Sequence, residues 1–178
     1  MQHHLAFVVR EGWVTEQLLA GVSPTAMVAL GTIGGLARKG YPKAPMELID
    51  RAEITEAGGI TGDHRGKRKG AGRRQVTLIE RERWTAACAS VGVELDWWQR
   101  RCNIVVDGLE LPREPGARLR LGRDVVLEMT RYTDPCERME ALAPGLFDAL
   151  WVDWRAGICS RVVQGGTVLA GDVIRVEA

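Results

Sequence analysis

Much of what would announce a function class is missing from this sequence. No apolar run approaches the roughly 18 residues that a membrane-spanning helix needs. The opening, MQHHLAFVVREGW, has no basic n-region, and its apolar stretch from Leu5 to Val9 is too short for a signal peptide. The expectation is a cytoplasmic protein with no membrane partner. Neither sign of charge dominates: 24 Lys and Arg stand against 23 Asp and Glu, for a formal net charge of +1. Bulk charge therefore argues neither for nor against nucleic acid. Cysteine occurs only at positions 88, 102, 136 and 159, with no C-x-x-C pair and no zinc-type spacing. In a reducing compartment these are free thiols, and burial is the default for a free thiol. No G-x-S-x-G is present, so a Ser–His–Asp hydrolase would lack its nucleophile elbow. GGITGDHRG (58–66) is neither G-x-G-x-x-G nor followed by Gly-Lys-Ser/Thr, which excludes the usual phosphate loops. His64 is the only histidine away from the N-terminus and provides neither a metal site nor a triad. For Asp63 and His64 the reading is a structural turn, since Gly62-Asp63 suits a tight bend.

What is present describes a globular domain. The chain has 178 residues, 46% of them hydrophobic and 26% charged, enough for one domain with a real core. Residues 1–24 read as an N-terminal extension, partly helical around TEQLLAG, and 25–178 as the domain. AMVALGTI (26–33), MELIDRAEI (46–54) and RRQVTLI (73–79) read as strands, the last with polar and apolar residues alternating. In ERERWTAACASVG (80–92), Trp84, Ala87, Cys88 and Val91 recur at helical spacing. Cys88 lies on that apolar face and reads as core. CNIVVDGLEL (102–111) predicts a strand with a hairpin turn at Asp107-Gly108. ARLRLG and RDVVLEMTRY add two strands, the second alternating as a half-buried strand does. Helix follows from Pro135 to about Trp151, interrupted at Pro144-Gly145. The end, GICSRVVQGGTVLAGDVIRVEA, gives two or three more strands. Mainly β with a few helices, and many short strands with Gly turns, suggests a closed or nearly closed β-barrel.

Two stretches carry chemistry. In YTDPCERME (132–140), Asp134 suits a helix N-cap, Pro135 the first helical position, and Glu137 completes a capping box. That would put Cys136 in a first helical turn, where the positive end of the helix favours a thiolate, as would Arg131 and Arg138. The competing reading is a core residue: Cys136, Met139 and Ala143 fall on one apolar stripe. The second stretch, RGKRKGAGRR (65–74), holds six positive charges and three glycines in ten residues. It reads as a solvated surface segment or as an anion site for phosphate or a nucleic-acid backbone. No aromatic residue is interleaved, which argues against stacking on a single strand.

Taken in order, GGITGDHRG, RRQVTLIERE, RCNIVVDGLEL, GARLRLG, DPCERME and RAGICSRVVQGGTVLAGDVI resemble the MOSC domain, the C-terminal module of molybdenum-cofactor sulfurases. The resemblance implies a β-barrel and a site built around one cysteine. That cysteine ligates molybdenum in cofactor-binding relatives and carries a persulfide in sulfur-transfer schemes; its counterpart is Cys136. The arginine and asparagine of an Arg-x-Asn-hydrophobic motif contact the pterin, and Arg101 and Asn103 match them. A phosphate-bearing cofactor needs cationic donors, which arginine supplies best; Arg73, Arg74 and Arg101 are the candidates. The resemblance reaches neither the additional N-terminal barrel of the larger reductases nor the pyridoxal-phosphate domain of the larger sulfurases. It implies a stand-alone module that binds molybdopterin for reduction or sulfur transfer, or accepts sulfur from a cysteine desulfurase, or delivers cargo to a molybdoenzyme, or keeps the fold alone. The reading from residues 65–74 stays beside it: a nucleic-acid- or anion-binding barrel without catalysis. If the site is kept, Cys136, Arg101, Asn103 and Arg73 or Arg74 should converge on one cleft. If it is lost, Trp97, Trp98 or Trp151 should fill that cleft.

Overall fold

Alternating apolar residues build a sheet that closes on itself. The computed structural model of the chain describes residues 29–66 and 71–177. The expected extension at 1–24 lies outside these residues. The strands of the barrel are β1 (Leu30–Arg38), β5 (Val76–Glu80), β6 (Ile104–Asp107), β7 (Arg118–Leu121), β8 (Val125–Tyr132), β9 (Ile158–Gln164) and β11 (Val173–Val176). They run in the order β11-β7-β8-β9-β5-β6-β1, and β1 pairs back onto β11 to close the ring. A short β2 (Glu47–Ile49) pairs antiparallel with the end of β1. A separate sheet joins β3 (Arg51–Thr55), β4 (Gly59–Ile60) and β10 (Gly166–Leu169). Among the described residues no helix is long and apolar enough to cross a membrane.

Two apolar layers hold this arrangement. Ile33, Leu36, Ile54, Leu78, Ile104, Leu119, Leu127 and Met129 fill the barrel interior. Ile79, Trp84, Cys88, Trp97, Val105, Met139, Leu146 and Leu150 form a second layer between barrel and helices. Consecutive residues therefore serve opposite faces: Leu78 and Ile104 point inward, Ile79 and Val105 outward. This is why β5 is buried at every position, its polar residues Thr77 and Glu80 included. Both of its faces are covered, and β5 and β6 are the parallel pair. Helix α1 (Arg81–Ser90) connects them and covers the outer face with Trp84, Ala87 and Cys88. In β1 the alternation slips at a bulge between Ile33 and Gly35. A side chain at Gly35 would meet the Trp97 ring at 2.8 Å, so glycine there is what lets Trp97 lie against the barrel.

Two local readings need correction. Asp107-Gly108 does turn, with Gly108 at φ 71, but it does not join a hairpin. β6 pairs with β5 and β1, while β7 pairs with β8 and β11. The start of α1 captures this segment instead: Arg81 Nε donates to Asp107 at 2.6 Å, and Gly108 N–H donates to Glu82 at 2.9 Å. The predicted helix at 135 begins later, as α2 (Glu137–Leu142), with Cys136 as its N-cap residue. Asp134 does not cap because its carboxylate accepts from Arg131 at 2.8 Å. α3 (Leu146–Ala149) follows after Gly145, at φ 83.

Gly157 has φ 86, and a Cβ there would run into the Leu78 carbonyl oxygen. Gly92 has φ 75 with open space around it. Gly157→Ala should cost at least about 3 kcal/mol of unfolding free energy and Gly92→Ala about 1 kcal/mol. Urea denaturation of the two variants checks this; equal losses would mean that the strand contact at Gly157 is not tight.

Candidate functional site

One short stretch, Trp97 to Asn103, touches every part of the site. A 3-10 turn at Trp97–Arg100 buries Trp97 and presents Trp98 at the surface. Arg101 then takes the left-handed conformation, φ 66. This reverses the chain, so that Asn103 enters the barrel wall while Arg101 faces a cleft.

Asn103 is 1% exposed and its side-chain bonding capacity is taken up internally. Its Oδ1 accepts from the Thr77 N–H at 3.1 Å and from the Thr77 hydroxyl at 2.9 Å. Its Nδ2 donates to Ala37 O at 3.2 Å and to Asp63 Oδ2 at 3.1 Å. Asp63, 0% exposed, also accepts from the backbone N–H groups of Lys39 at 3.0 Å and Arg65 at 2.8 Å. The Gly62-Asp63 turn read from sequence is present, with Gly62 at φ 86 and Asp63 N–H donating to Ile60 O at 2.9 Å.

Around this network lies a surplus of positive charge. Lys39 is 5% exposed, and among the described residues its amine has neither a hydrogen-bond acceptor nor a carboxylate within ion-pair distance. Burial and the nearby guanidiniums of Arg65, Arg101 and Arg74 push its pKa down to about 7, while Asp63 pulls the other way. Burial also lowers the pKa of Arg65, as do Arg74 and Arg101. Arg65 Nη1 donates to Arg101 O at 3.1 Å, tying the start of the basic run to the cleft. Arg74 has a buried Nε with no partner among the described residues. Its neighbour Arg73 is exposed, and its carbonyl accepts from the Thr130 hydroxyl. Lys67 to Gly70, the middle of the basic run, lie outside the described residues.

Arg101 links this cluster to the thiol. Its Nη2 donates to Ala44 O at 2.8 Å. Its pKa is lowered by burial and by Arg138, and raised by Cys136, so both residues lie within electrostatic reach. The cleft it lines is about 370 Å³, walled by Met46, Trp98, Arg101, Arg138, Met139 and Leu142. Trp98 forms one wall without closing it, Trp97 is in the core, and Trp151 is 47% exposed. Cys136 is exposed at the head of α2, whose later residues form the cleft wall; Cys88, Cys102 and Cys159 are buried. Beneath the Cys136 segment, the buried Arg100 donates through Nη2 to Ala156 O at 2.9 Å, Thr133 O at 3.3 Å and Asp134 O at 3.4 Å.

Of the residues expected to converge on one cleft, Arg101 lines it, Cys136 stands exposed at the head of the helix whose later residues wall it, Arg74 neighbours Lys39 and Arg65, Arg73 is exposed, and Asn103 sits inside the barrel wall. Lys39 did not stand out in the sequence. A lysine just past the end of a strand reads as solvent-exposed, and nothing local signals that Asp63 draws its backbone inward.

A family model for the MOSC domain matches residues 65–175. None of the curated proteins matches the chain. Among solved structures, the YuaD protein from Bacillus subtilis is similar at 22% identity and a TM-score of 0.71, over 83% of this chain and 95% of that one. YiiM from Geobacillus stearothermophilus is similar at 15% identity and a TM-score of 0.65, over 83% of this chain and 75% of that one. YiiM from Escherichia coli aligns at 17% identity with a TM-score of 0.58, over 83% of this chain and 70% of its own.

Exposure alone separates the thiols. Iodoacetamide applied to the native protein should label Cys136 at least about tenfold faster than the buried cysteines, as mass spectrometry of peptides would register. Comparable labelling of Cys102 or Cys159 would mean that the barrel wall opens readily. Asn103→Ala should destabilise the fold by about 3 kcal/mol, because it strips donors from Asp63 and Ala37 O and an acceptor from Thr77. A loss under about 1 kcal/mol in denaturant titration would remove the network from its structural role.

Proposed function

Because the chain belongs to the MOSC domain family, we propose that it binds the molybdenum cofactor across one continuous face. In this reading Cys136 is the thiolate ligand of the metal. Arg101, Arg74, Arg65 and Lys39 hold the anionic end of the cofactor, and Arg73 contributes charge at the rim. The observation that carries the reading is the position of Arg101, within electrostatic reach of both the exposed Cys136 and the cation cluster.

The residues present fit such a group. Four cations in range of one another meet a single carboxylate, Asp63, whose oxygens already serve three N–H donors. The buried Arg74 Nε has no partner among the described residues. Both features suit a ligand that brings negative charge and acceptor oxygens. A thiolate suits a soft or intermediate metal. The bound group would supply a redox-active metal that exchanges oxygen or sulfur. The chain's own part is to orient it: Arg101 is fixed by its bond to Ala44 O, and Trp98, Met46 and Leu142 exclude water from one side of the cleft. Asn103 acts indirectly, by holding the stretch that carries Arg101 against Asp63 and Thr77.

A second reading, sulfur carriage, is supported by the exposure of Cys136 while the other three cysteines are buried. A Cys136 thiolate attacks the terminal sulfur of a persulfide on a cysteine desulfurase. The donor S–S bond breaks, the donor thiolate leaves, and Cys136 holds the sulfur as a persulfide for a molybdoenzyme partner. With no second exposed cysteine among the described residues, the persulfide has no neighbour to close a disulfide with. The nucleic-acid alternative draws less support. Arg65 and Arg74, near the ends of the basic run, turn into the cluster rather than along a groove.

Elemental analysis with pterin fluorescence, on protein made in a cofactor-competent host, tests the first reading. About one molybdenum per chain is expected, and Cys136→Ser should lower it at least about tenfold at unchanged melting temperature. A mass gain of one sulfur on Cys136 without metal would favour the carrier. Protein free of metal, pterin and persulfide, yet holding nucleic acid in a salt-dependent way, would overturn both.

A further inference from the structure

Lys39 is a nearly buried residue, and the groups that face it among the described residues supply its amine with no counter-ion. From its own strand comes Arg38, whose guanidinium is engaged by Glu47 at 3.0 and 3.1 Å. The turn after β4 contributes Asp63, His64 and Arg65. Asp63 is the one carboxylate among these groups and spends its bonds on backbone and amide N–H donors. His64 approaches through its backbone N–H, which donates to Lys39 O at 2.8 Å. Arg74 lies beyond the basic run, Arg101 follows the 3-10 turn, and Cys102 faces Arg65 from the barrel wall. Three guanidiniums against one carboxylate leave the pocket net positive before Lys39 is counted. Arginine does not relieve this by losing a proton. Lysine does, and its titration near pH 7 is the consequence of that crowding and burial.

We propose that on the alkaline side of neutrality the site loads its anion together with a proton, Lys39 being mostly neutral in the free protein there and ammonium once an oxyanion lies against Arg65, Arg74 and Arg101. This rests on the reading that the cluster holds the anionic end of a cofactor, and it adds a pH dependence to that site. An arriving dianion supplies the missing counter-charge, which raises the pKa of the amine and draws in a proton from solvent. The proton adds one cation to the grip without the fold having to carry that charge beforehand. The same group shapes stability without anion. Its folded pKa lies below that of a lysine in the unfolded chain, so the unfolded state binds the extra proton and stability rises from about pH 7 to about pH 10.5. Bound anion should flatten that rise.

The probe is inorganic sulfate, which stays a dianion across the range. Calorimetric titration of the native protein at pH 8.5, in two buffers of different ionisation heat, should give uptake of about one proton per sulfate. Affinity should fall about tenfold per pH unit between pH 7.5 and 9. Lys39→Met should bind more weakly, take up no proton and show a flat profile; Lys39→Arg, permanently charged, should bind without uptake. Sulfate binding with no proton uptake by the native protein overturns the inference and leaves the reading of the cluster standing. Uptake that persists in either variant assigns the proton elsewhere and overturns it as well. Absence of sulfate binding at every pH overturns both.

Discussion

A carboxylate with no exposed surface holds this face of the barrel together. Asp63 has no salt bridge among the described residues, so the burial of its charge is offset by N–H donors from three separate segments: Lys39 at the end of β1, Arg65 in its own turn, and Asn103 beside β6. Each donor fixes a backbone position. Asn103 extends the grip to β5 through Thr77 and back to β1 through Ala37 O. Segments as far apart in sequence as 37, 63, 77 and 103 are thus locked to one another by side chains whose bonding capacity is largely used. Such a network is unforgiving: removing one member leaves the others buried without partners, which costs more than the bond itself was worth.

The network also places the charge surplus. Because Asp63 pulls in the backbones of Lys39 and Arg65, their side chains emerge together, beside Arg74 and Arg101. Mutual repulsion of the three guanidiniums opposes folding, and Lys39 adds to it whenever its amine is protonated. A fold selected for stability alone would space them apart or pair them, as it does elsewhere on this barrel, where Arg161 grips Glu128 at 2.8 Å through two nitrogens and Arg81 grips Asp107. That contrast supports reading the cluster as a site. Among the described residues these cations have no carboxylate ion-pair partner, and the charge that would balance them is negative.

The barrel was legible in the sequence because its evidence is local and periodic. The run 125–132 sets Val125, Leu127 and Met129 against Val126, Glu128 and Thr130, and α1 repeats its apolar residues at helical spacing. Asp107-Gly108 misled because a turn signal says that the chain bends and not which strand it then meets. Glu80 and Glu82 decided that, by accepting from the N–H groups of Leu111 and Gly108. Asp134 misled similarly. Its capping pattern is sound, yet Arg131, three residues back, offers a stronger partner than a backbone N–H. Cys136 and Arg101 were singled out through a motif, and the fold brings them within electrostatic reach of each other. Lys39 was not found, since its burial depends on Asp63, twenty-four residues away in sequence. Charge–charge proximity across such gaps has no local signature.

Residues 97 to 103 show how few positions can couple a core to a surface site. Trp97 packs in the outer apolar layer, Trp98 walls the cleft, Arg100 grips the carbonyls under the Cys136 segment, Arg101 faces the cleft, and Asn103 joins the Asp63 network. The left-handed residue between these roles is an arginine, φ 66, where glycine would be easier. That conformation costs about 1 kcal/mol for a residue with a side chain. Glycine would remove the strain and with it the guanidinium that lies between thiol and cation cluster. The strain at Arg101 is therefore best understood as the cost of having a charge at a chain reversal. It is borne because the bonds on either side, Arg100 to Ala156 O and Asn103 to Asp63, leave the intervening residue no other path.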